Sequence, residues 1–136
     1  MTSKFRLILG LLAVALVAFP QSTPRLNADI PFEFYVGGTV LPAGQYQMDQ
    51  MGTAGTLAVR SFENKAAAVV LAQPARSRSV ESQSRLIFNK YGDTYFLAQI
   101  WRAGTNEGIS LKRSKREREL ARVIGTVEVA TVAAGR

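Results

Sequence analysis

The chain has 136 residues, of which 17 are basic and 10 acidic, for a formal net charge of +7. It contains no histidine and no cysteine, so neither disulfide bonds nor the Ser-His-Asp and Cys-His catalytic arrangements can be built. The residue types that most often act as general base and as zinc ligand are absent as well. Composition therefore predicts a protein that is not an enzyme, with no catalytic, cofactor-binding or metal-binding residues and no cofactor.

The N-terminus predicts export from the cytoplasm. Lys4 and Arg6 precede an apolar stretch that runs from Leu7 to Phe19. This stretch is shorter than the roughly 20 residues of a membrane-spanning helix, and a basic start before a short apolar segment is typical of a secretory signal peptide. We expect a periplasmic or secreted protein with no transmembrane segment in its mature chain.

The position of cleavage is less sharply indicated. Leu16-Val17-Ala18 and Leu26-Asn27-Ala28 both end in the small residue that signal cleavage requires. Strand-like sequence begins at Asp29, which favours cleavage after Ala28. The expected organisation is a signal peptide over residues 1–28 and a single mostly-β domain over residues 29–136.

Short apolar runs, separated by Gly, Pro, Asn or Asp, recur along the mature chain. This spacing is typical of antiparallel strands and predicts a mainly β fold, a sandwich or partly open barrel of about six to seven strands with one short C-terminal helix. Pro31 cannot donate a ladder hydrogen bond and therefore indicates an edge strand around it. The polar stretch from Gln73 to Ser84 predicts an exposed loop.

The strongest local signal in the sequence predicts a β-hairpin. Gly92-Asp93 is a two-residue loop with glycine first, as a type II′ turn requires. In this register Phe88 faces Leu97, and strict alternation places Trp101 on the same side as Phe88 and Ile100 on the opposite side. Both faces of the hairpin are apolar, so we expect each one to be covered.

A short helix near the C-terminus is predicted to cover the second apolar face of this hairpin. Ser114 and Glu117 fit a capping box, in which the serine caps the first turn and the glutamate reaches back to it. The helix would run through Leu120 and Ile124 and end at Gly125, because glycine commonly closes a helix.

Three segments carry a resemblance: Ile30-Pro31-Phe32-Glu33-Phe34, Leu41-Pro42-Ala43-Gly44-Gln45-Tyr46, and Tyr91-Gly92-Asp93 with Tyr95-Phe96-Leu97. Together with the basic segment after Ser114 they resemble a group of small exported bacterial proteins of unknown function. The resemblance covers most of the mature chain. It implies a shared architecture and no particular activity.

One cluster of charge could contact an anionic surface. It lies within residues 112–122 and comprises Lys112, Arg113, Lys115, Arg116 and Arg118. Glu117 and Glu119 interrupt it, and at helical spacing its members cannot all point one way. Such a cluster is typical of a solvated helix face, and export makes nucleic acid an unlikely partner.

The sequence thus predicts an exported, non-catalytic β-module that acts by binding or by structural association with an unknown protein or envelope component. One alternative is a small β-barrel that binds an apolar or aromatic ligand, which would need closed strands around an empty interior. Another alternative is a polyanion-binding module that uses the basic segment 112–122.

Overall fold

The computed structural model of the protein describes residues 25–51 and 55–135, which form one helix and ten strands. The strands are β1 (Arg25–Ile30), β2 (Phe34–Val36), β3 (Thr39–Leu41), β4 (Gly44–Met51), β5 (Thr56–Ser61), β6 (Ala67–Arg76), β7 (Arg85–Tyr91), β8 (Thr94–Trp101), β9 (Glu107–Leu111) and β10 (Glu128–Gly135). The helix α1 spans Lys115–Ile124.

Eight strands close into an antiparallel barrel in the order β8-β7-β10-β1-β4-β5-β6-β9, and β9 pairs back with β8. The hairpin β2–β3 is attached to the barrel by a parallel pairing of β2 with Tyr95 and Phe96 at the start of β8, whereas β9 pairs with the end of β8. The predicted mainly β class with a short helix is confirmed. The predicted sandwich or partly open barrel of six to seven strands is wrong, because β1 pairs with β10 and β8 with β9, which joins all the barrel strands into one closed wall.

Two predicted segments differ from the structure. The strand β1 ends before Pro31 and is paired on both sides, to β4 and to β10, so it is not an edge strand. The strand β6 continues to Arg76 and pairs with β9, so the first four residues of the predicted loop from Gln73 to Ser84 belong to the barrel wall. The strand β1 also includes residues 25–28, which lie within the predicted signal peptide.

The interior of the barrel is filled by apolar side chains. Phe34 packs edge-to-face against Tyr46 and Phe88, with ring centroids 5.1 and 5.6 Å apart. All three side chains are fully buried. The buried core also includes Leu26, Ala28, Ile30, Val36, Leu41, Met48, Leu57, Val59, Ala68, Ala72, Leu86, Leu97, Ile100 and Ile109. The middle of the barrel is therefore a packed core.

One end of the barrel is closed by the chain itself. The segment 31–33 connects β1 to β2. Because β2 pairs with β8, and β8 is the third strand from β1 around the barrel, this segment crosses the end of the barrel. Phe32, in this segment, stacks on Tyr95 with ring centroids 3.8 Å apart and meets Phe88 edge-to-face at 5.0 Å. We call this the closed end. The connections that follow β6 and β8 meet at the opposite end, which we call the open end.

A β-bulge decides which side chains of β8 face the core. Phe88 faces Leu97 as predicted, but Ile87 faces Gln99, so Ala98 is an extra residue in β8. A bulge of this kind reverses the alternation beyond it. Ile100 consequently joins the interior, and Trp101 lies outside the core cluster, the reverse of the expected arrangement.

The helix α1 covers part of the outer face of β7. As predicted, the Ser114 hydroxyl accepts a hydrogen bond from the Glu117 amide at 3.2 Å, and Gly125 closes the helix in the left-handed conformation. The other half of the predicted capping box is wrong: the Glu117 side chain turns toward the barrel and not back to Ser114, and its carboxylate accepts hydrogen bonds from Asn89 at 3.0 Å and Tyr91 at 2.9 Å. This buried carboxylate therefore joins the helix to the barrel wall.

Candidate ligand site at the open end of the barrel

The open end holds a recess above the packed core. Tyr46 and Met48 face the interior, so the alternation of β4 directs Gln50 inward at the next step toward the open end. The recess has a volume of about 250 Å³. It is lined by Gln50, Pro74, Ala75, Arg76, Ile100, Arg102, Thr105, Glu107, Gly108 and Ile109. The buried side chains of Ile100 and Ile109 form its apolar floor.

Arg102 is the central polar side chain of this recess. Its guanidinium donates a hydrogen bond to the Gln50 side-chain oxygen at 3.4 Å. Because β4 and β8 lie on opposite sides of the barrel, this contact crosses the open end. Burial lowers the pKa of Arg102, and the negative charge of Glu107 opposes that shift. An arginine keeps its charge under such a shift, so the recess contains a partly desolvated cation.

The charge of Arg102 is not matched by a direct ion pair within the described residues. Arg25 pairs with Asp49, Arg85 with Glu81 and Arg113 with Glu117, whereas Arg102 takes part in none of the ion pairs among residues 25–51 and 55–135. The Arg102 guanidinium carries five N–H bonds and makes one long hydrogen bond among the described residues, so several of its donors can bind a ligand.

Hydrogen bonds between two loops hold the rim of the recess. The Ser77 amide donates to the Asn106 carbonyl at 2.8 Å, and the Glu81 amide donates to the Thr105 carbonyl at 2.9 Å. The Gly104 amide donates back to the Glu81 carbonyl at 2.8 Å. The loop after β6 thereby fixes the loop that carries Thr105 beside the recess.

A larger and more open depression adjoins the recess. Its volume is about 1150 Å³, and its lining also includes Arg102 and Thr105. Residues of β1, β10 and the segment 82–84 form other parts of its wall. Arg102 therefore lies between a small recess and a wide approach from solvent.

The side chains that line the recess are suited to binding a ligand. The Arg102 guanidinium and the Gln50 amide stand over an apolar floor, and the exposed side chains of Arg76 and Glu107 add one basic and one acidic group at the margin. Within the described ranges no group of three or more acidic side chains is placed to hold a metal ion. The arrangement suits a small ligand that presents oxygen atoms to Arg102 and an apolar part to the floor.

The predicted anion-contacting cluster lies elsewhere, in the first turn of α1 and in the segment just before it. Lys112, Lys115, Arg116 and Arg118 are exposed there. Arg113 is engaged differently, because its guanidinium pairs with the buried Glu117 carboxylate at 3.4 Å. The structure thus keeps four of the five cations free of described ion pairs but uses the fifth to hold the helix on the barrel.

Sequence reasoning missed the recess. Gln50 is more than fifty residues from Arg102 and Glu107 in the chain, and each of the three has the sequence context of an ordinary surface residue beside a turn. The signal that could have found Gln50 is its phase with Tyr46 and Met48, since a polar residue in phase with core positions faces the interior at the end of a strand. No comparable signal marks Arg102, because the bulge at Ala98 shifts its phase.

Comparison of the chain with protein-family models, curated proteins and solved structures returned no match. In the part of the chain that the structure describes, no helix is both long and apolar enough to cross a membrane. The functional assignment therefore depends on the geometry of the open end.

Proposed function

We propose that this protein is an exported, non-catalytic β-barrel that binds a small ligand carrying a carboxylate or phosphate group at the open end. The observation that carries the proposal is Arg102, a half-buried guanidinium beside a recess and outside every ion pair of the described residues. This combines two of the expectations from the sequence, a binding module and a ligand-binding barrel.

Burying part of a charge costs free energy unless an opposite charge or hydrogen bonds compensate. The Gln50 oxygen offers only one neutral partner at 3.4 Å. Carboxylate and phosphate oxygens match the planar fork of a guanidinium and bind it in a bidentate manner. A ligand of that class would supply the partner that Arg102 lacks among the described side chains.

The recess also limits the size of the ligand. At about 250 Å³ it lies just below the range of roughly 300–1,000 Å³ that is usual for small-molecule sites. Ile100 and Ile109 would contact an apolar part of the ligand, while the wide approach leaves room for atoms that project outward. A compact aromatic or aliphatic acid, or its phosphate counterpart, fits these limits.

The site of action follows from the N-terminus, where Lys4, Arg6 and the apolar stretch that follows indicate export. The protein would bind its ligand in the periplasm or outside the cell, alone or together with an envelope component.

The test is ligand-induced thermal stabilisation of the mature protein, with benzoate, phenylacetate, phenyl phosphate and inorganic phosphate as probes. A ligand that binds only the folded state raises the temperature of the unfolding midpoint. At a ligand concentration one hundred times the dissociation constant, it adds about 2.7 kcal/mol to the free energy of unfolding. We expect at least one organic probe to raise the midpoint more than inorganic phosphate does, because only the organic probes reach the apolar floor.

Arg102→Met keeps much of the side-chain length and removes the charge, and it should abolish the stabilisation. Arg60→Met is the matched control, because Arg60 is exposed on β5 and does not line the recess. Stabilisation that survives in Arg102→Met, or that is lost equally in Arg60→Met, would contradict the proposal. An unchanged midpoint with all four probes would contradict it as well.

A further inference from the structure

We infer that the signal peptide is removed directly after Ala18, and that residues 25–28 belong to the mature protein. The inference assumes the export proposed above and concerns where the chain is cut. It rests on the place of β1 in the barrel wall, which is described from Arg25 onward.

The strand β1 joins two other strands through its backbone. Six successive pairs connect it to β4, from Arg25 opposite Asp49 to Ile30 opposite Gly44. Two further pairs connect it to β10, with Asn27 opposite Gly135 and Ala28 opposite Ala134. Both pairs with β10 thus involve residues on the N-terminal side of Asp29.

The side chains of the same residues contribute to the core. Leu26 is 5% exposed and Ala28 is 7% exposed, and both belong to the interior cluster. The Arg25 guanidinium lies 3.4 Å from the Asp49 carboxylate on β4. Exposed and buried residues alternate throughout Arg25–Ile30, as expected for a strand that is part of the wall.

Cleavage after Ala28 would remove this part of the wall. Only Asp29 and Ile30 would remain of β1, and both pairs with β10 would be lost. The barrel would open between β4 and β10, exposing unpaired backbone groups that promote aggregation. The new charged amino group at Asp29 would also lie beside the buried Ile30.

Ala18 offers an earlier cut at a residue of the required size. It ends the earlier of the two candidate sites in the sequence, Leu16-Val17-Ala18, and lies at the C-terminal end of the apolar stretch, one residue before Phe19. Cleavage there leaves the six residues from Phe19 to Pro24 ahead of β1. The whole of β1 is then retained.

The test is export of the full 136-residue chain in a Gram-negative host, followed by intact-mass measurement and sequencing of the N-terminal peptide. We expect the processed protein to begin at Phe19. A protein that begins at Asp29 would overturn the inference while leaving the proposed export standing. An intact chain found only in the cytoplasm would overturn both.

Two variants sharpen the result. Ala18→Leu replaces the small residue before the expected cut and should lose most of the processed product. Ala28→Leu is the matched control and should be processed at the same position and to the same extent as the parent chain. Pulse-labelled precursor and product are separated under denaturing conditions, so a folding defect of either variant does not affect the readout. Loss of processing in Ala28→Leu with normal processing in Ala18→Leu would reverse the assignment.

Discussion

The two ends of the barrel are built from different kinds of residue, although the same eight strands run through both. At the closed end the chain crosses the barrel, and Phe32 packs against Phe88 and Tyr95. At the open end Arg102 reaches Gln50 across the barrel, and no chain segment crosses within the described residues. Apolar contacts that stabilise the fold are thus concentrated away from the polar groups that can meet a ligand.

The largest expected effect is a difference in stability between the two ends. Phe88→Ala should lower the free energy of unfolding by about 3–5 kcal/mol, because Phe88 is fully buried and contacts two further aromatic rings. Arg102→Met should change it by no more than about 1 kcal/mol, since it removes one long hydrogen bond and a partly desolvated charge. Urea denaturation measures both. Equal losses at the two ends would refute the division of roles.

A second prediction concerns the outer support of the open end. Trp101 is 7% exposed and lies against Gly108, where an added Cβ would come within 2.5 Å of the indole. We expect Trp101→Ala to cost about 3 kcal/mol and Gly108→Ala about 1–3 kcal/mol. Gly108→Ala should cost less when Trp101 is already alanine, because the two residues are in contact.

Gly38→Ala is the control, since nothing lies within 4 Å of a Cβ at that position. It should change the urea midpoint little. Simple additivity of the Trp101 and Gly108 substitutions would mean that the backbone carbonyl oxygen of Ile100, 2.6 Å from the same Cβ, sets the cost of Gly108→Ala and that the indole does not. An unchanged midpoint in Trp101→Ala would place the indole on the surface and make it a candidate ligand contact.

A third prediction concerns the pH dependence of stability and the Tyr91 hydroxyl, which joins the barrel wall to α1 through its hydrogen bond to Glu117. Burial raises the pKa of Tyr91 above its ordinary value of 10.0, and the hydrogen bond to Glu117 raises it further. A raised pKa in the folded state stabilises the fold below the unfolded pKa, and that stability is lost as the pH rises through the folded value. The free energy of unfolding should therefore fall above about pH 10.

Tyr91→Phe removes the titrating group together with its hydrogen bond. It should cost about 1–3 kcal/mol near neutral pH and should weaken the alkaline loss of stability. Because burial also raises the pKa of Tyr46, some alkaline loss should remain. An identical alkaline profile in the variant and the parent protein would contradict this role for Tyr91.

The smallest effect is expected for the basic segment, which is part of neither end. Lys115→Ala combined with Arg118→Ala should change the free energy of unfolding by less than about 0.5 kcal/mol, because both side chains are exposed. Binding to heparin or anionic vesicles, if seen at low salt, should disappear at physiological ionic strength. Salt-resistant binding that these two changes abolish would instead favour the polyanion-binding alternative.

Local patterns predicted the local structure well, and long-range pairing was beyond them. The Gly92-Asp93 turn and the helix between Ser114 and Gly125 depend on a few neighbouring residues, so their sequence signals are sufficient. Closure of the barrel depends on contacts between β1 and β10 and between β8 and β9, which leave no local pattern. The bulge at Ala98 has no local sequence signal either, and it determines which side of the barrel wall Ile100 and Trp101 occupy.

The seam between β1 and β10 has a consequence for folding kinetics. Asn27 and Gly135 are paired although more than a hundred residues separate them, so the barrel cannot close before nearly the whole chain is available. Folds dominated by such distant pairings typically fold in milliseconds to seconds, and a chain still emerging from the ribosome lacks the last strand. If the protein is exported as proposed, a chain of this topology would still be open while it is threaded through a membrane pore, and it would acquire its cooperative structure on the far side.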